Sequence, residues 1–498
     1  MSTAAIPFRT NSATARFRHS PHRLSALLLV LVGLLFLVLQ LAFAPRPLGL
    51  TTDEATYLAK VDPSAPELFW TQPRAWGTPV LAAPVAMFAP GLTVVRLWFT
   101  TLSSVGLVAA YWPWLRVLPP AVAPVAALLF STTWFTLYFG PGVMPNIYIG
   151  LAGVAAVGMF VRAVDNPRWW RLLLCGAAAA LAALVRPTDS LLALAPTLAA
   201  GLLVPRLRRP PVLAALAGGI AVGWAPWVIE AFVRFGGPWA RLTRAETAGP
   251  GGLSFEIKNL LVYPRLLDGR PSYCCAGPPG EGGPIPWPYT GWLLAVPVLA
   301  LLGVLVARHQ GRLAEVMMVA LPAAALSGFY LFLPSFTSLR FLIPAFALIF
   351  LPVALLLVAS LSVRRGWARA ASVASAATLL VGHLALHLPQ AERELDRDAP
   401  GRKRPILIAA ALRPYIQGRP CLVVGEEPQA TAYYLGCRAQ GARPTKRPPQ
   451  RISRAQARGD VVVAVLRDPP VGGTYLASWP ELPVKGLPRG LEAYVPPA

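Results

Sequence analysis

Charge is what this sequence has little of. Asp, Glu, Lys and Arg supply 13% of the 498 residues, about half of what a soluble domain carries. That excludes an ordinary soluble fold over most of the chain. Acid is scarcer still, with 22 Asp and Glu against 45 Lys and Arg and a net charge of +23. No nucleic-acid motif of the usual kinds accompanies that basic excess. Arginine greatly outnumbers lysine, and arginine at cytoplasmic loop ends is what membrane topology itself requires. No nucleic-acid partner is expected. Cysteine is also rare, with five residues in no metal-ligand spacing. Cys175 lies in an apolar run, Cys274 and Cys275 are adjacent in a loop, and Cys421 and Cys437 lie in the polar tail. In an oxidising compartment the last two are candidates for a disulfide; otherwise they are two free thiols.

Long apolar runs fill residues 24–388, and the remainder is polar, basic and rich in proline. The expected fold is an all-α polytopic membrane protein of about 11 transmembrane helices with a small C-terminal α/β domain outside the membrane. Residues 1–23 form a cytoplasmic segment, 24–388 the membrane body and 389–498 the tail domain. The first run, 24–44, is long enough to cross a bilayer. It lacks an obvious small-residue cleavage site, which favours a retained span over a signal peptide. Further spans are expected at 92–115, 119–139, 143–164, 169–185, 189–204, 211–233, 289–307, 313–334, 339–361 and 367–388. The short run 78–89, interrupted by Pro79 and Pro84, reads as a re-entrant or interfacial piece.

Arginine sets the orientation. With a cytoplasmic N-terminus, the inside turns hold Arg116; Arg162, Arg168 and Arg171; Arg206, Arg208 and Arg209; Arg308 and Arg312; and Arg364, Arg365 and Arg369. The pattern recurs at every inside turn. Loops 45–91 and 234–288 and the tail then face outward from the plasma (inner) membrane. Within the tail, residues 420–427 and 460–466 read as strands bounded by turn residues or charge, and 428–436 is helix-compatible. No phosphate-binding glycine fingerprint follows either strand.

Directly after the first span stands LGLTTDEATYLAK, residues 48–60. Thr51 or Thr52 capping a short helix, with Asp53 and Glu54 in its first turn, accounts for an acidic pair on structural grounds alone. Chemistry offers a second account. A carboxylate at the mouth of a membrane cavity can take the proton of a hydroxyl attacking an anomeric carbon. A second carboxylate can orient the acceptor or hold a divalent cation against a phosphate leaving group.

The run Asp53-Glu54-Ala55-Thr56-Tyr57 after a first span resembles the D-E-A-x-Y element of GT-C glycosyltransferases. The likeness is to the protein mannosyltransferase and aminoarabinose transferase branch, glycosyltransferase family 39. Gly77-Thr78-Pro79, Val185-Arg186-Pro187 and Leu339-Arg340-Phe341-Leu342-Ile343-Pro344 resemble later elements of the same branch, over residues 20–390. The resemblance implies a polyprenyl-phosphate sugar donor, an inverting displacement with Asp53 and Glu54 catalytic, and an acceptor glycan, lipid or protein. Tyr57, Arg186, Lys258, Arg270 and Arg340 are the expected substrate-binding residues, with Arg265 available beside them. Asn146 departs from the pattern, standing where a second acid is expected. A divalent cation is the one cofactor to consider, and its ligands are left open. His383 and His387 have the i, i+4 spacing of a shared metal, yet no third ligand is evident, and helix-end histidines are the plainer reading. A transporter or lipid flippase is the alternative; it calls for ionisable residues deep within spans and an internal repeat. No clear repeat is present.

Overall fold

The computed structural model describes residues 19–43, 48–66, 68–88, 91–248, 252–269, 284–362, 366–425, 428–442 and 445–497. The helices in chain order are α1 (His19–Phe43), α2 (Thr52–Leu58), α3 (Gly77–Ala86), α4 (Leu92–Tyr111), α5 (Val122–Ser131), α6 (Trp134–Phe139), α7 (Pro145–Asp165), α8 (Trp169–Val185), α9 (Pro187–Leu203) and α10 (Pro210–Glu230). They continue as α11 (Pro238–Ala248), α12 (Asn259–Leu267), α13 (Trp287–His309), α14 (Leu313–Phe332), α15 (Ile343–Ser360), α16 (Gly366–Ile416), α17 (Pro428–Leu435) and α18 (Gln450–Ala457).

Every apolar run expected to span is helical. Eight of the described helices are long and apolar enough to cross a membrane, and α3, α5, α8 and α9 are shorter apolar helices. The run 119–139 is two pieces, α5 and α6. At the break, Thr132 and Thr133 turn their hydroxyls onto the carbonyls of Leu128 and Phe130, at 2.7 and 2.9 Å. Such bonds satisfy backbone groups that a broken helix releases inside a membrane. Prolines open α7, α9 and α10, where a missing N–H costs nothing.

Small residues set the helix spacing. A Cβ on Gly219 would come within 2.2 Å of the Gly176 carbonyl, and one on Gly223 within 2.3 Å of the Ala180 carbonyl. This small-xxx-small stripe brings α10 and α8 into backbone contact. The innermost helices, α7 and α15, are buried nearly all round.

Tail and body are continuous. The last span was expected to end at 388; α16 instead runs unbroken from Gly366 to Ile416, 51 residues, about 75 Å at 1.5 Å per residue. It delivers the chain to a five-stranded sheet of β1 (Cys421–Gly425), β2 (Arg438–Gly441), β3 (Val461–Leu466), β4 (Glu481–Leu482) and β5 (Glu492–Tyr494). The order is β2-β1-β3-β5-β4, with β2, β1 and β3 parallel and the last two pairings antiparallel. β1, α17 and β3 fall where the sequence placed them. A disulfide joins Cys421 to Cys437, tying the start of β1 to the entry of β2. Cys274 and Cys275 lie outside the described residues.

Candidate active site

Local sequence builds the acidic corner first. The Thr51 hydroxyl accepts from the Glu54 amide at 3.3 Å, and Glu54 Oε2 accepts from the Thr51 amide at 2.9 Å. That reciprocal capping box fixes the start of α2, and both carboxylates sit in the helix's first turn.

The two acids then part company. Glu54 is 1% exposed. Its Oε2 accepts from Arg96 at 3.0 Å and from Arg402 at 3.1 Å. Its Oε1 accepts from the Val143 amide at 3.0 Å and from a second nitrogen of Arg96. Arg96 spends its remaining donors on the carbonyls of Leu48, Gly49 and Pro141. Arg402 also bonds Asp398 and, at 2.9 Å, Tyr138, whose hydroxyl donates to Asp398. Buried charges persist only when so fully partnered. Burial pushes the Glu54 carboxyl up, but Arg96 and Arg402 outweigh it and bring it down to about 2.

Asp53 keeps an open side. It is 27% exposed, with Oδ2 accepting from Arg340 at 2.9 Å and Oδ1 from Arg74. Burial raises its proton affinity, and the Arg340 and Arg74 guanidiniums more than reverse that, holding it well below the usual carboxylate range. Arg340 comes from the 3-10 turn Leu339–Leu342 at the head of α15. Its guanidinium lies 5.6 Å from the Phe341 ring centroid, and that of Arg186 lies 5.2 Å from the same ring. Arg186 pairs with buried Asp189 at 2.8 Å and donates to Tyr330 at 3.1 Å. Tyr57 is buried beside them, with Arg74 5.8 Å from its ring.

Asp53 and Glu54 lie on one wall of a cavity of about 710 Å³ between the bundle and the tail domain. The body contributes Asp53, Arg340 and Met144; α16 contributes Arg402 and Arg404; the tail contributes Gly425, Thr431 and Arg467. These tail positions are at the carboxyl ends of β1 and β3 and on the first helical turns of α17, the edge at which open parallel sheets bind ligands. Arg404 and Arg467 are exposed and have no ion pair or hydrogen bond among the described residues. The tail is held over the cavity by Tyr434, which accepts from the Leu50 amide at 2.8 Å, and by Tyr433, which donates to Asp62 at 2.6 Å.

Of the residues expected from the sequence, Asp53 and Arg340 are in direct contact, Arg186 is one ring away and Tyr57 is behind Arg74. Lys258 and Arg265 do not line the cavity; Lys258 pairs with Glu256 at 2.9 Å. Arg270 lies outside the described residues. Arg74, Arg96 and Arg402 were not anticipated as partners of the acidic pair, nor Asp398 as a partner of Arg402. One signal existed: Arg96 is a charge inside an otherwise apolar helix, and such residues need a partner.

The donor set does not fit a divalent cation. Guanidiniums occupy both oxygens of Asp53 and of Glu54, and Asn146 is buried with both side-chain atoms unpartnered and brings no charge. No group of three or more potential ligands occurs among the described residues. His383 and His387 pack with Trp292, Phe350 and Phe135 rather than with carboxylates.

No family model and no curated protein sequence matches this chain. Solved structures do. ArnT from Cupriavidus metallidurans, solved with undecaprenyl phosphate, aligns at 14% identity and TM-score 0.57, over 94% of this chain and 97% of its own. The Archaeoglobus fulgidus oligosaccharyltransferase, solved with zinc and sulfate, aligns at 12% identity and TM-score 0.55, over 88% of this chain and 67% of its own. The mycobacterial arabinofuranosyltransferase AftD aligns at 14% identity and TM-score 0.52, over 94% of this chain and 40% of its own.

Proposed function

From the GT-C glycosyltransferase fold that this chain shares with those three enzymes, we propose that it is an inverting membrane glycosyltransferase. It takes a sugar from a polyprenyl-phosphate donor and gives it to an acceptor hydroxyl at the outer face of the plasma membrane. The N-terminus is cytoplasmic and the tail domain extracytoplasmic. The observation that carries this reading is the Asp53–Arg340 contact at 2.9 Å on the wall of the seam cavity. It supports the reading because a carboxylate can accept a proton and a guanidinium beside it can bind a phosphate.

Asp53 takes the proton of the attacking hydroxyl as its oxygen bonds to the anomeric carbon. The bond from that carbon to the phosphate oxygen breaks with inversion, and the lipid phosphate departs with the electron pair. Arg340 binds the departing oxygens with its planar fork, and Arg404 and Arg467 add charge from the tail side. Arg186 reinforces Arg340 across Phe341.

The resting pairing makes Asp53 a weak base, because two guanidiniums already satisfy its charge. Donor phosphate competes for Arg340. As Arg340 turns to the phosphate, Asp53 loses a counter-charge and its proton affinity rises, so donor arrival readies the base. Glu54 has no free lone pair for this chemistry; it holds α2, Arg96 and Arg402 in position. A cation is not assigned a step.

The test is transfer from a radiolabelled polyprenyl-phosphate sugar in membranes, with mass spectrometry of envelope glycans and glycolipids from cells with and without the protein. Asp53→Asn is expected to abolish product while expression and topology persist. Unchanged product from that variant sinks the assignment.

A further inference from the structure

A second cavity, of about 620 Å³, lies on the other side of the turn that opens α17. Pro428 and Ala430 line the first cavity, and Gln429 between them lines the second. Its remaining walls come from the loop between α2 and α3, with Phe69 and Thr71, and from the sheet edge β2, the start of α18 and the segment between them.

Its chemistry differs from that of the first cavity. Three planar amides, Gln429, Gln440 and Gln450, line it together with Arg447 and Arg451, and the described lining includes no carboxylate. Gln429 Oε1 is shut off from solvent and has no hydrogen-bond partner, an orphan acceptor of a kind that calls for a donor. Phe69 is 37% exposed, with the Arg451 guanidinium 5.7 Å from its ring. Arg447 has no ion pair among the described residues and is exposed. An apolar ring face beside planar amides matches a sugar, which presents C–H groups on one face and hydroxyls around its edge. Arg447 and Arg451 pair with no carboxylate among the described residues, and such guanidiniums match a carboxylate on that sugar.

We infer that the second cavity is a subsite for the glycan portion of the acceptor, and that it takes an acidic saccharide. The inference rests on the glycosyl-transfer reading for its meaning. The first turn of α17 contributes to both cavities, and Asp53 lines the first.

The test uses the full protein in lipid nanodiscs against an array of uronate-bearing oligosaccharides and their neutral counterparts. Phe69 and Arg447 are exposed, so Phe69→Ala and Arg447→Ala should fold. Wild type is expected to retain the uronate-bearing members, and each variant to bind them at least tenfold more weakly. No retention, equal retention of neutral members, or unchanged binding by both variants overturns the inference. In the transfer assay, Arg447→Ala is expected to raise the acceptor KM about tenfold and to leave kcat and the donor KM unchanged. If Asp53→Asn abolishes transfer while Arg447→Ala keeps the wild-type acceptor KM, the subsite falls and the enzyme reading stands. If wild type binds the array as expected but transfers nothing, the enzyme reading falls and the saccharide site stands.

Discussion

At the scale of single residues, neighbours in sequence have opposite surroundings. Asp53 has one open side and two cations at its oxygens; Glu54 has none of its capacity free. Asp53→Asn should therefore cost catalysis, by 10²-fold or more in kcat, on top of a fall in melting temperature from leaving Arg74 and Arg340 without their counter-charge. Glu54→Gln should cost stability first, because it leaves Arg96 and Arg402 buried against a neutral group. Removing one partner of a buried pair costs about 3–5 kcal/mol, read as a lower melting temperature in detergent. Arg340 separates charge from shape: Arg340→Lys should raise the donor KM and Arg340→Ala should raise it further, since lysine keeps the charge and loses the fork. Equal donor KM values for wild type and Arg340→Ala would remove Arg340 from the phosphate site. The pH dependence follows from Glu54, whose carboxyl is lowered in the folded protein to about 2. Its contribution is fully present above the ordinary glutamate value and is lost as pH falls toward 2, roughly 3 kcal/mol in all. Hydrogen-exchange protection factors at α2, corrected for the intrinsic rate at each pH, should hold down to about pH 4.5 and fall below it.

At the scale of elements, helix contacts and one unbroken helix decide the architecture. The stripe of Gly219 and Gly223 lets α10 lie on α8 with no room for a side chain. Gly223→Leu should force the pair apart and cost about 1–3 kcal/mol or more, seen as earlier thermal unfolding in detergent; an unchanged melting curve would contradict the close approach. The apolar runs made these helices legible in the sequence because a bilayer demands some twenty apolar residues per span. The continuation of α16 past Pro389 and Pro400 was not legible. Proline ordinarily signals a break, and here packing against the body carries the helix through it, placing Asp398 and Arg402 beside Tyr138 and Glu54. Strands β2, β4 and β5 also escaped, being two to four residues long, too short for alternation to show.

At the scale of the whole molecule, the tail domain is the roof of the proposed active site, so its integrity should matter to catalysis. The Cys421–Cys437 bridge spans a sequence separation of 16, worth about 3 kcal/mol by loop closure. Reduction, or a Cys421→Ser/Cys437→Ser pair, should speed protease cleavage within the tail and lower transfer, while the helical signal of the bundle persists. Full transfer with a proteolysed tail would show that the roof is dispensable. The sequence by itself determined a membrane body, the order of its helices, the two central tail strands and the acidic pair beside the first span. Those follow from local rules: apolar length, turn residues and charge count. The resemblance already expected Asp53 and Arg340 at one outward cavity; only the tertiary structure decided that they pair directly across 287 positions, and that Glu54 is spent on Arg96 and Arg402, the latter 348 positions away. Such pairings depend on which helix ends the packed bundle and the long α16 bring to one place, and no local pattern encodes that meeting.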